Sequence, residues 1–201
     1  MKIASGILAA ALVLVASVTP VGAADAQAQD ATSASDKDEV GSRPAAPAEI
    51  VDAVGDCVRF VKHHGQVDTD GLKAAGWQFG GKQQQPGQGL MPATTQIILG
   101  KGNVILILHL TGISAGCQTI GRVDDMARTG EVRSGILSRF GAKPFKDYKG
   151  DDLFKAGMAR QMKPEQLDNI LISDADRFTI NPIEKGEDKL VTIMMIPRIL
   201  D

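Results

Sequence analysis

Thr94-Thr95-Gln96-Ile97-Ile98-Leu99-Gly100-Lys101-Gly102-Asn103-Val104-Ile105-Leu106-Ile107-Leu108-His109-Leu110 is the stretch that decides the fold. Its two halves, Thr94–Leu99 and Val104–Leu110, read as strands. The connector Gly100-Lys101-Gly102-Asn103 offers glycine and asparagine for the positive φ of a tight hairpin. The second half is apolar at every position but His109, on both faces of a strand, which places it in the middle of a sheet.

Outward from this hairpin, Cys117–Val123 reads as another strand. Upstream, Ile50, Val54, Cys57, Val58 and Val61 recur at helical spacing and predict a helix from about Ala48 to His64, stopped by Gly65. Asp68 or Asp70 caps a short second helix through Leu72 and Ala75, closed by Gly76, and Trp77 follows as a core anchor. Glycines, prolines and the Gln83-Gln84-Gln85 run predict a long mobile loop over Gly80–Pro92. Downstream, Val132, Ile136, Leu137 and Phe140 form a helical stripe with Gly141 and Pro144 as stops. The end of the chain predicts a second hairpin, Arg177–Ile183 and Lys189–Pro197, turning over Glu184–Asp188. Together these elements predict an α+β fold, with N-terminal helices packed on a mainly antiparallel sheet.

Met1-Lys2, the apolar run Ile3–Val18, Pro20 and the small residues of Val21-x-Ala23 have the three-part layout of a secretory signal, cleaved near residue 23, with Ala26-x-Ala28 as a second cleavage option. The run is shorter than the roughly 20 residues of a spanning helix, which argues against an uncleaved anchor. Residues 24–47 have no aromatic side chain and read as a solvated, disordered leader. Residues 48–201 then form one domain with room for a proper core. Of 22 basic side chains only Lys2 would leave with the signal, so 21 face 24 acidic ones, a formal charge of −3. These charges are interspersed. No basic stripe suits nucleic acid, and no polybasic segment would hold an anionic membrane after signal cleavage. The expected localisation is periplasmic or secreted, with an unidentified protein or small ligand as partner. Nothing in the sequence sets an oligomeric state.

Cys57 and Cys117 are the only cysteines. In an oxidising compartment a disulfide is the simplest reading. A metal pair lacks the neighbouring Cys or His ligands, a redox pair lacks Cys-x-x-Cys spacing, and two free buried thiols are the remaining alternative. A cysteine in the first helix, the Gly76-Trp77 pair, and Gly116-Cys117 after a hydrophobic strand resemble uncharacterised secreted proteins of Gram-negative bacteria over about residues 50–140. The resemblance implies an envelope protein and carries no activity or binding residues.

Several short motifs touch on chemistry. Gly112-Ile113-Ser114-Ala115-Gly116 matches G-x-S-x-G after an apolar strand. As a nucleophile, Ser114 would need His109 or His64 as base, yet every histidine lies upstream of it, contrary to the order in hydrolases of that type. Gly76-Trp77-Gln78-Phe79-Gly80-Gly81-Lys82 fits G-x-x-x-x-G-K, but Gln83 stands where a phosphate loop needs Ser or Thr. His63 and His64 are adjacent on a helix and point about 100° apart, so they cannot face one metal together. Asp68-x-Asp70-Gly71 fails as a calcium loop because the twelfth position falls on Trp77. Asp151-Asp152 and Asp174-x-Asp176 read as turn and solvent residues. No cofactor or metal is expected. Two function classes remain: a non-catalytic envelope domain with a binding or accessory structural role, and a small periplasmic serine hydrolase built on Ser114.

Overall fold

The computed structural model describes residues 43–61, 66–87, 92–112, 114–149, 160 and 162–197. Residues 1–42, where the signal segment and most of the leader are expected, lie outside these, as do His63 and His64. The described strands form one antiparallel sheet: β1 (Gln78–Gln85), β2 (Thr94–Lys101), β3 (Val104–Leu110), β4 (Ala115–Arg122), β5 (Lys143–Pro144), β6 (Ile170–Ile172), β7 (Asp176–Lys185) and β8 (Asp188–Pro197). Their order across the sheet is β1-β2-β3-β4-β8-β7-β6-β5. The apolar strand β3 is therefore interior. Lys101 pairs with Val104, so the hairpin turn shrinks to Gly102-Asn103, with Gly102 at φ +55°.

Helix α1 (Pro47–Phe60) opens with proline at its first turn, where the missing N–H costs nothing. Glu49 Oε2 accepts the Ala46 N–H at 2.7 Å. The helix ends earlier than expected. Val61 is extended, buried, and bridges to Val67, and Asp68 N–H donates to Phe60 O at 2.9 Å. A β-branched residue thus gains a strand partner in place of another helical turn. Order also begins earlier than residue 48: Ala45 is buried, and its N–H donates to Arg122 O at 2.7 Å. In α2 (Thr69–Ala74), Asp68 Oδ1 caps the Gly71 N–H, and Gly76 at φ +90° ends the turn.

The expected loop over Gly80–Pro92 is instead a strand as far as Gln85. The backbone of β1 hydrogen-bonds to β2 whatever its side chains are, and an edge strand exposed on both sides needs no hydrophobic alternation. β5 and β6 have no counterpart in the sequence reading. They are two and three residues long, too short for a periodic signal.

Alternation puts Leu106, Leu108, Cys117, Thr119, Gly121, Ile193, Met195 and Phe178 on one face of the sheet. That face meets α1 and α3 (Arg128–Phe140), and the main core fills the space between. A disulfide joins Cys57 of α1 to Cys117 of β4, with Cα atoms 6.3 Å apart. Phe140 stacks on Phe178 at 5.2 Å, and Asp52 of α1 pairs with Arg139 of α3. On the opposite face, at the β5–β6 end, Phe145, Ile170 and Ile172 form a second small core with Tyr148, Met162 and Leu167, the last from helix α4 (Pro164–Leu167). Among the described residues no helix is long and apolar enough to cross a membrane.

Candidate functional site

The face opposite α1 and α3 carries, from β1 to β4, the cross-strand row Gln83–Gln96–His109–Gly116. Beside it run Gly81–Ile98–Ile107–Gln118–Met194–Thr179 and, one step further, Gly100–Ile105–Ile120–Thr192–Asn181. An apolar strip of Ile98, Ile105, Ile107, Ile120 and Met194 thus lies among amides and hydroxyls. These five side chains are only partly buried, and Ile183 and Ile196 at its margin are exposed. The second small core covers this face at the β6 end, and no described helix covers the strip.

His109 sits at the rim of this strip. Its Nδ1 is 3.5 Å from Gln96 Nε2, and its Nε2 is buried without a partner among the described residues. Withdrawal from water holds its pKa below the ordinary 6.5, against the smaller upward pull of the Gln118 bond. A histidine with a folded pKa below its unfolded one binds more protons in the unfolded chain between those two values. Stability from this group is therefore complete above about pH 6.5 and is lost as the pH falls through the lower folded value. Urea titrations between about pH 7 and pH 5 should show an unfolding free energy that falls more steeply in the native protein than in His109→Gln. The difference should be at most about 1.4 kcal/mol per pH unit, one proton's worth. His63 and His64 are common to both proteins, so equal slopes would mean that His109 titrates as it does in the unfolded chain.

Ser114 does not meet this histidine. Its Oγ lies 2.9 Å from Thr111 Oγ1, its N–H donates to the same oxygen at 3.0 Å, and its carbonyl accepts the Thr111 N–H at 2.9 Å. These bonds close a hairpin between β3 and β4. A nucleophile elbow turns from strand into helix, so G-x-S-x-G here is a strand-to-strand turn. The partner of His109 Nδ1 is Gln96, and the described contacts of Ser114 do not include the imidazole. The other proposed base, His64, lies outside the described residues.

At the far end of α1, sequence reading missed a polar cluster. Trp77, buried as expected, donates its indole N–H to Asp56 Oδ2 at 2.9 Å, and the Lys101 ammonium reaches the same oxygen at 3.0 Å. Lys101 also sits 5.6 Å above the Trp77 ring. The three residues lie 21 and 45 positions apart along the chain, so no local pattern links them. Beside them is a cleft of about 160 Å³ lined by Glu49, Asp52 and Gly102, and a second of about 260 Å³ lies across Lys101. A third, of about 270 Å³, lies between Gly141 and Tyr148.

The chain matches no family model, no curated protein and no solved structure with which it was compared. Chemistry therefore has to be read from the side chains alone. Among the described residues no three His, Cys, Asp or Glu side chains are grouped to hold a metal. Asp68 is a helix cap. Asp176 closes the β6–β7 turn, its N–H donating to Ser173 Oγ at 2.9 Å and its carbonyl accepting the Ser173 N–H. Asp151 and Asp152 lie outside the described residues. The Gly76–Lys82 motif follows α2 and runs into β1, with a register shift between Phe79 and Gly81, so its backbone forms an edge strand where a phosphate loop would need a cradle.

Proposed function

We propose that the chain is an exported, non-catalytic envelope domain that holds a protein partner against the sheet face opposite α1 and α3. The observation that carries this is the apolar strip of Ile98, Ile105, Ile107, Ile120 and Met194, spread over four adjacent strands with no described helix above it. Apolar area of this kind on a folded domain marks a contact surface. A macromolecule suits it because the strip runs across four adjacent strands of an open sheet face rather than into a cleft. The signal-like N-terminus and the disulfide support the envelope, periplasmic or secreted, as the compartment.

The test is affinity capture from the native envelope fraction by the mature protein and by its Ile107→Lys variant in parallel. A protein recovered by the first and lost about tenfold or more with the second is the expected result, a loss equivalent to 1.4 kcal/mol. Equal recovery by a folded Ile107→Lys variant would move the contact off this face. A fluorophosphonate probe on the same protein should leave Ser114 unlabelled. Labelling that disappears in Ser114→Ala would establish the serine hydrolase instead.

A further inference from the structure

The sheet has two unlike edges. One is β5, two residues long and carrying Pro144, which is how proteins blunt an edge against further pairing. The other is β1, eight residues long, paired among the described strands with β2 alone, with seven of the eight exposed. Lys82 is its single charge, and it contains no proline. Its one irregularity falls between Phe79 and Gly81, near the start, so Gly81–Gln85 form a regular ladder against Ile98–Thr94. No described strand pairs with the outer side of that ladder, where an edge strand turns a row of N–H and C=O groups outward.

We propose that two copies of this chain pair antiparallel through β1, about a two-fold axis normal to the sheet. Three features select a second copy over an unrelated peptide. First, the edge is self-complementary: with Gln83 opposite its own counterpart, Lys82 faces Gln84 and Gly81 faces Gln85, so amide meets amide at the axis and no like charges stand directly opposite. Opposite residues in an antiparallel pair share a face, so this register keeps both helix layers on one side. Second, the blunted β5 edge lets the assembly close at two copies, where two open edges would propagate a filament. Third, Phe79 is 65% exposed beside the ladder, near where the partner chain leaves β1 at Pro86, and pairing would cover it. The dimer would be a continuous sixteen-stranded sheet with the two Ile107 strips on one side and both helix layers on the other. The pairing depends on the β1 edge and not on the Ile107 strip. A monomer would leave the capture result at Ile107 untouched.

Sedimentation equilibrium of the mature chain should show a reversible monomer–dimer equilibrium. A strand-edge contact is smaller than the roughly 1,200 Å² of a standard interface, so loading should reach about 0.5 mM. Gln83→Lys and Gln83→Glu each place like charges across the axis and should weaken the dimer about tenfold or more, with the unfolding midpoint of this exposed position unchanged. Mixing the two variants should restore a dimer, which native mass spectrometry should identify as the mixed species. A native chain that stays monomeric at all loadings, a Gln83→Lys variant that dimerises as well as the native chain, or a mixture without the mixed species would each overturn the proposal.

Discussion

Replacing Cys57 and Cys117 together by serine is expected to lower the unfolding free energy by roughly 2–5 kcal/mol. Both residues are fully buried, and the bridge spans 60 positions of sequence. In the chain-entropy account, closing a loop of that length removes roughly 4 kcal/mol of freedom from the unfolded state. The location adds to this. Cys57 lies in the middle of α1, and Cys117 pairs with both Leu108 and Met195, at the centre of the strands that α1 covers. Two hydroxyls there would lose the covalent link and put polar groups into a site walled by Leu108 and Met195. Denaturant titration of the two proteins measures the loss, and non-reducing peptide mapping should recover the two cysteine peptides linked. A double-serine protein as stable as the native one would mean that the helix is held to the sheet by packing alone.

What could be read from the sequence follows the range of the interactions. The β2–β3 hairpin, the interior position of β3, the stop at Gly141 and the final hairpin all rest on neighbours in the chain. Their signals are apolar runs and glycines at positive φ, such as Gly102, Gly141 and Gly186. β1 was not legible, because Gln78–Gln85 carries no alternation and is ordered by the edge of β2. β6 was hidden for the opposite reason: Ile170–Ile172 is apolar but three residues long, and only pairing with Arg177–Thr179 makes it a strand. The same division holds at the candidate site. His109 stood out on its strand, yet the amides around it come from Gln96 and Gln118 through pairing registers. Ser114 drew attention through a five-letter pattern, whereas its environment is set by Thr111 three residues away.

Substituting Gly121 by alanine or valine should destabilise the domain by about 1–3 kcal/mol, although adding a side chain to a strand glycine ordinarily helps. Gly121 lies on β4 beneath α1. A Cβ there would be 2.5 Å from Ile50 Cδ1, 2.6 Å from Ile50 Cγ1 and 3.5 Å from Ala45 Cβ. Ile50 is fully buried, so its side chain has no solvent to swing into. On the other side of the helix, a Cβ on Gly135 of α3 would be 2.7 Å from Val51 Cγ2. With glycines on both flanks, α1 cannot move away from β4 without pressing on α3. Gly130 is the control: it lies on α3 with nothing within 4 Å of an added Cβ, and Gly130→Ala should stabilise by about 0.5–1 kcal/mol through helix propensity. Ile50→Ala alone should cost about 2–5 kcal/mol as a core truncation. Combined with Gly121→Ala, the new methyl would occupy part of the space Ile50 vacates, so the double variant should lose less than the two single losses added together. Strict additivity in denaturant titrations would show that the two residues do not touch, and that α1 stands further from β4 than this packing requires.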